Sequence, residues 1–92
     1  MPSPVRDNAA LHRFEMDTEA GVAFARYRRD GDTLMVLHTE VPRSIEGRGL
    51  GSRLAKFALD DARSRGLRIR IECPFIRTYI RRHPEYADLR TR

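Results

Sequence analysis

The stretch EVPRSIEGRGLG, residues 40–51, carries Gly47, Gly49 and Gly51 on alternate positions. Half of the chain's six glycines therefore fall within five residues, directly behind an apolar run. Glycine lets a backbone turn tightly and lets a bulky ligand approach main-chain N–H groups with no Cβ in the way. A strand that enters such a loop, which then opens a helix, presents N–H groups together with the positive end of a helix dipole. That combination is a site for phosphate oxygens. No Gly-Lys-Ser/Thr follows at the spacing of a P-loop, and Ser52 stands where the dinucleotide fingerprint needs its third glycine. On the residues alone, a phosphate cradle and a helix start that is merely glycine-rich both remain open.

Further groups have types suited to group transfer. Cys73 is the only cysteine. A thiol is a nucleophile that can form a covalent intermediate. Cys73 also shares a strand face with Leu67, Ile69 and Ile71, where a cysteine packs as a small hydrophobe. Tyr79 carries a hydroxyl that can act as an acid, and it lies on the apolar stripe of a helix. His38 and Glu40 alternate on one face near the end of a strand, a place for a base or for solvated polar groups.

The elements that must position these groups follow from periodicity. LHRFEMD (residues 11–17), GVAFARYRR (Gly21–Arg29) and TLMVLHTEV (Thr33–Val41) alternate as strands, with Asp30-Gly31-Asp32 as a hairpin turn between the last two. They predict a three-stranded antiparallel meander. The period then becomes helical: Leu50, Leu54, Phe57, Ala58 and Ala62 recur on one face after the glycines. Gly66 is placed to close this helix as its C′ residue. LRIRIEC (Leu67–Cys73) is a period-2 strand ended by Pro74, and FIRTYIRRH (Phe75–His83) is a helix stopped by Pro84. The order is β-β-β-α-β-α, an α/β fold with a mixed sheet. A strand, helix and strand in succession make a parallel pair through a right-handed crossover. The third strand and the Cys73 strand then end at one sheet edge, where open α/β sheets bind ligands.

Length and composition bound the rest. A chain of 92 residues with 40% hydrophobic and 34% charged residues fits one small soluble domain. Residues 1–9 read as a loose tail and 10–92 as the domain. The opening residues have no apolar core of a signal peptide, and no run approaches a membrane span, so a cytoplasmic location and no membrane partner are expected. Zinc spacings are absent and no metal is expected. A net charge of +5 points to an anionic partner, whether nucleic acid, membrane surface or a small phosphorylated ligand.

Residues 41–51 resemble the acetyl-CoA pyrophosphate loop of the GNAT N-acetyltransferase superfamily, whose pattern is Arg/Gln-x-x-Gly-x-Gly/Ala after a strand. Glu46 stands in its first position, followed by Gly47, Arg48, Gly49, Leu50 and Gly51. The segments HTEVP, GRGLGSRLAKFALDDAR, CPF, TYIRRHPEY and DL are similar to those of a group of very short GNAT-like proteins, and the resemblance covers about residues 10–90. It implies a minimal GNAT fold, acetyl-CoA as cosubstrate and an amine as acceptor. It implies cofactor contacts from Val41, whose N–H polarises the thioester carbonyl, and from residues 46–52, namely Glu46, Gly47, Arg48, Gly49, Leu50, Gly51 and Ser52. It implies that Cys73 takes part in transfer and that Tyr79 protonates the departing thiolate; Glu40 and His38 are candidate bases from their position near the strand end. Two departures stand out. Glu46 replaces the usual Arg or Gln, a carboxylate near a pyrophosphate that must point away or meet an arginine such as Arg43 or Arg48. No segment matches the helices after the first strand of full-length members, nor the final strand pair, parts that help form the acceptor pocket.

The expectation is therefore an N-acetyltransferase, a monomer or weak homodimer, with transfer direct or through Cys73. A non-catalytic CoA-binding module is the alternative. A basic nucleic-acid-binding protein is disfavoured because the arginines scatter and no aromatic RNA-binding signature, helix-turn-helix or zinc site appears.

Overall fold

The computed structural model describes residues 3–91; Met1 and Pro2 of the expected tail, and Arg92, lie outside the described residues. The sheet is built around the expected meander. Strands β2 (Arg13–Thr18), β3 (Gly21–Asp30) and β4 (Thr33–Glu40) pair antiparallel in sequence order. Helix α1 (Leu50–Ser64) then crosses over and returns the chain as β5 (Arg68–Ile71), parallel to β4. Helix α2 (Pro74–Arg82) comes next, and a 3-10 segment, Pro84–Leu89, packs behind it. The α/β class and the parallel crossover agree with the sequence reading.

Several boundaries differ from it. The strand expected over Leu67–Cys73 spans only Arg68–Ile71, so Cys73 lies beyond the strand and not at its end. The expected loose tail contains a strand: β1 (Arg6–Asn8) pairs with Arg13–Glu15 and makes the sheet five-stranded, in the order β1-β2-β3-β4-β5. Its bonding is polar, which is why no apolar alternation marks it. Arg6 and Asn8 both donate to the carboxylate of Glu15, at 2.8 and 3.0 Å. The first meander strand also begins two residues late. Ala9–Leu11 form a 3-10 turn in which Asn8 accepts from the Leu11 N–H, and His12 closes it in the left-handed conformation at φ 53°.

The core lies between one sheet face and the helices. Phe14, Met16, Ala23, Ala25, Leu34 and Val36 meet α1 residues Leu54, Ala55, Ala58, Leu59 and Ala62, all of them buried. Alanine at three of those helix positions lets α1 settle close against the sheet. At its end, Leu67 N–H reaches Ala62 O at 2.8 Å and Gly66 N–H reaches Arg63 O at 3.2 Å, the paired bonds of a Schellman cap. This turn sends the chain back into β5.

The far end of β4 carries one irregularity. Tyr27 faces Val36 across the β3–β4 ladder, but Arg26 faces His38, so Leu37 is an extra residue. A bulge of this kind moves all later side chains to the other face. Thr39, opposite Ala25, takes the helix side, while His38 and Glu40, opposite Arg26 and Phe24, take the outer face. The β4–β5 ladder ends at the same level, with Val36 and Ile71.

The outer face is held by charge. Glu15 is buried, and its carboxylate accepts from Arg6, Asn8 and Arg13. The Arg13 guanidinium also lies over the Phe24 ring, 4.9 Å from its centroid. Burial alone would push the Glu15 pKa up, but the hydrogen bonds from Asn8, Arg13 and Arg6 outweigh it and hold the carboxyl below its ordinary value. With the folded value below the unfolded one, this stabilisation is present above the unfolded carboxylate range and is lost as pH falls through the folded value. Glu15→Gln is therefore expected to cost about 2–3 kcal/mol near neutral pH, because two guanidiniums are left facing a neutral amide. Urea midpoints followed from about pH 7 to about pH 3 should fall less steeply for the variant than for the wild type. Parallel curves would remove Glu15 from the acid dependence.

Candidate functional site

The glycine cluster serves two separate needs. Gly47 and Gly49 have φ of 83° and 80°, the left-handed region that residues with a Cβ rarely adopt. A Cβ built on either meets nothing within 4 Å, so conformation is the constraint and the space above the loop is open. Gly51 is helical, and its need is room: a Cβ there would fall 2.8 Å from Cζ of Phe75. Gly49 is the N-cap of α1 and no side chain caps that end. Intrahelical bonding begins with Arg53 N–H to Gly49 O at 3.1 Å, so the preceding first-turn N–H groups have no side-chain cap. A cavity of about 420 Å³ opens over this loop, lined by Thr39, Val41, Glu46, Gly47, Gly49, Leu50, Gly51, Ser52 and Phe75. Of the loop residues singled out in the sequence, only Arg48 does not line it. Arg48 instead donates to Glu19 at 2.8 Å, and among the described residues Glu46 has no ion pair.

Below the bulge the parted ends of β4 and β5 frame a gap. Cys73 follows β5 as the N-cap of α2 and is buried. Its Sγ lies 3.7 Å from Thr39 Oγ1, and because Thr39 lines the cavity, the thiol is one side chain removed from it. Had β4 kept its register, Thr39 would face outward; the bulge makes this contact.

The other candidates separate. Glu40 lines a second cavity of about 430 Å³ with Ala20, Gly21, Val22, Pro42 and Arg43, and this cavity shares Thr39, Val41 and Glu46 with the first. His38 lines neither; its ring sits edge-on to Phe24, with centroids 6.4 Å apart. Tyr79 is buried on α2, stacked on His83 with centroids 4.2 Å apart, and does not line the loop cavity. Burial raises its pKa, Asp60 and Glu85 add to this, and Lys56 opposes it, so the phenol stays protonated through the neutral range. Thr39 and Phe75 are the cavity residues that sequence reasoning missed. Alternation without the bulge hides Thr39, and the helical stripe of α2 reads Phe75 as core.

A larger cavity, about 770 Å³, lies elsewhere, at the sheet end beside the C-terminus of α1. Its carboxylates are already engaged: Arg65 pairs with Asp7 at 3.3 Å and with Asp61 at 3.2 Å, and Tyr27 donates to Asp7 at 2.5 Å. Burial and that hydrogen bond push the Tyr27 pKa up to about 12. The acidic groups of this cavity are satisfied, and neither the glycine loop nor Thr39 lines it.

Comparison with known proteins gives a consistent answer. Protein NATD1 of human is 40% identical over 47 residues, 51% of this chain and 42% of that protein. Protein NATD1 of Xenopus tropicalis is 36% identical over 52 residues, 56% of this chain and 48% of that protein. The matches thus span about half the length of these curated relatives. The solution structure of a GCN5-like protein from Staphylococcus aureus superposes with a TM-score of 0.73 over 95% of this chain and 86% of that one; at 23% identity it shows the shared fold. Among the described residues no helix is long and apolar enough to cross a membrane. The family model for GCN5-related N-acetyl-transferases matches residues 13–89, from the first meander strand through the segment behind α2. That match covers most of the chain, and the chain belongs to the GCN5-related N-acetyltransferase family.

Proposed function

We propose that this protein is an acetyl-CoA-dependent N-acetyltransferase whose donor lies in the loop cavity and whose amine enters from the second cavity. The observation that carries the reading is that the two cavities meet at Thr39, Val41 and Glu46, at the level where β4 and β5 part. A donor can be held on the helix side while an acceptor reaches the same carbon from the other side. The residues fit such a donor: the loop leaves open space over two left-handed glycines, and the helix behind them has first-turn N–H groups without a side-chain cap. Cationic side chains are not required for that contact, since main-chain dipoles supply it.

In this reading the N–H groups of residues 47–52 hold the pyrophosphate and the Val41 N–H polarises the thioester carbonyl. Glu40, at the second cavity, attracts the ammonium form of the acceptor and takes its proton; His38 lies farther from both cavities and is the lesser base. Tyr79, protonated at neutral pH, can supply a proton but not remove one. Cys73 gives a two-step route. Its sulfur forms a bond to the acetyl carbon as the CoA sulfur–carbon bond breaks, and the CoA sulfur receives the thiol's proton. The amine then attacks, the Cys73 sulfur–carbon bond breaks, and the proton lost by nitrogen restores the thiol. Several arginines are occupied by carboxylates, with Arg6, Arg13, Arg48, Arg63, Arg65 and Arg70 all in ion pairs, which argues against a nucleic-acid role. We place the reaction in the cytoplasm, in a monomer or weak homodimer.

Two experiments test this reading. Gly49→Glu puts a Cβ on a left-handed backbone and a negative charge where phosphates must approach, so acetyl-CoA binding should be lost in a variant that is still folded. Calorimetry showing unchanged affinity removes the loop assignment. Cys73→Ala removes one buried sulfur, at a cost of about 1–2 kcal/mol, and should leave acetyl-CoA affinity within about twofold while abolishing turnover. Mass spectrometry of the wild type after incubation with acetyl-CoA should show one added acetyl group on Cys73. Normal turnover by Cys73→Ala would assign direct transfer from thioester to amine.

A further inference from the structure

Phe75 is out of keeping with its helix. Ile76, Tyr79 and Ile80 on α2 are buried, whereas Phe75 keeps 43% of its surface open. Among the described residues it is also the only aromatic side chain lining the loop cavity. Its ring is fixed in an unusual way. A Cβ at Gly51 would lie 2.8 Å from Cζ and 3.3 Å from both Cε atoms, so the ring meets the first turn of α1 tip-first. Glycine at 51 is what admits it. Seated so, the ring bridges the first turns of α1 and α2 and stands as a wall of the cavity, with Thr39 and Val41 among the other lining residues.

The chemistry at either end of the cavity decides what this wall faces. First-turn N–H groups without a side-chain cap lie at the loop, and the Thr39–Cys73 contact marks the gap between the strands. A donor spanning the two needs a connecting arm, and the arm of a CoA thioester is a chain of methylenes, a dimethyl carbon and amides. Polar loop atoms cannot match its apolar length, but an aromatic face can. Resting on the acetyl-CoA reading, we infer that Phe75 is a positioning residue for the donor: its ring packs against the pantetheine arm and directs the thioester to the strand gap, contributing nothing to recognition of the nucleotide.

The prediction separates arm from nucleotide. Titration calorimetry of wild type, Phe75→Ala and Phe75→Leu would use two probes, acetyl-CoA and 3′-phospho-ADP, which has the phosphates and lacks the arm. Loss of the half-exposed ring should weaken acetyl-CoA about tenfold and 3′-phospho-ADP less than about twofold. Phe75→Leu, which restores an apolar wall, should recover most of the acetyl-CoA affinity. Gly51→Ala leaves the ring intact but displaces its tip, and should likewise weaken acetyl-CoA more than 3′-phospho-ADP. An equal loss for both probes on Phe75→Ala would mean that the ring only props the loop, and no loss for either would mean that it touches nothing; both overturn the inference. Failure of the wild type to bind either probe would remove the acetyl-CoA reading itself, whereas wild-type binding with an unaffected Phe75→Ala removes only the role of the ring.

Discussion

A single extra residue, Leu37, decides which side chains meet at the end of the sheet. Strand alternation is strict, so one inserted residue reverses every later position on β4. With Leu37 bulged, Thr39 joins the helix face and comes within 3.7 Å of the Cys73 sulfur, while Glu40 turns to the outer face. The same level is where β4 and β5 cease to pair. Continued pairing would have closed the sheet between the two cavities; parting leaves them joined through Thr39, Val41 and Glu46. The faces taken by Thr39 and Glu40, one in each cavity, are thus consequences of one irregularity in an otherwise regular ladder.

The elements around that irregularity are held by different forces on the two faces. Toward the helices the contacts are apolar, and small alanines on α1 allow close approach. On the outer face the short edge strand β1 has almost no apolar surface to offer, and the buried carboxylate of Glu15 holds it by accepting from Arg6 and Asn8. A charge buried in this way is tolerable because three donors surround it. The same carboxylate fixes Arg13, whose guanidinium covers Phe24, the residue opposite Glu40 in the ladder. The ladder neighbour of Glu40 is thus held by a polar network far from the glycine loop.

That division explains what could be read from the residues alone. The helix from Leu50 and its close at Gly66 were legible because apolar period and cap residues are local signals. So was the parallel crossover, which follows from element order. The strand Arg6–Asn8 was not legible, since its partners are side chains seven to nine positions away and its composition resembles a tail. The bulge was not legible either, because TLMVLHTEV alternates equally well in both registers. His38 and Glu40 were read on one face, and they share one, but which face depends on Leu37. Of the three glycines, the loop role of Gly47 and Gly49 was foreseeable. The need at Gly51 rests on Phe75, twenty-four positions along the chain, and only the folded structure shows it.

The departure at Glu46 takes on a physical meaning in this setting. Where phosphate recognition depends on side-chain cations, a carboxylate at the mouth of the loop would be severely unfavourable. In the proposed reading the donors are main-chain N–H groups at a helix end without a side-chain cap, whose partial positive charge is fixed by geometry and does not depend on the residue at 46. Glu46 is exposed, has extended backbone at φ −60° and ψ 151°, and lines both cavities. Its charge is screened by solvent on the donor side. On the other side it stands in the same cavity as Glu40, where a negative field favours an incoming ammonium. In the proposed reading, a loop that binds phosphates through its backbone leaves its side chains available to the acceptor.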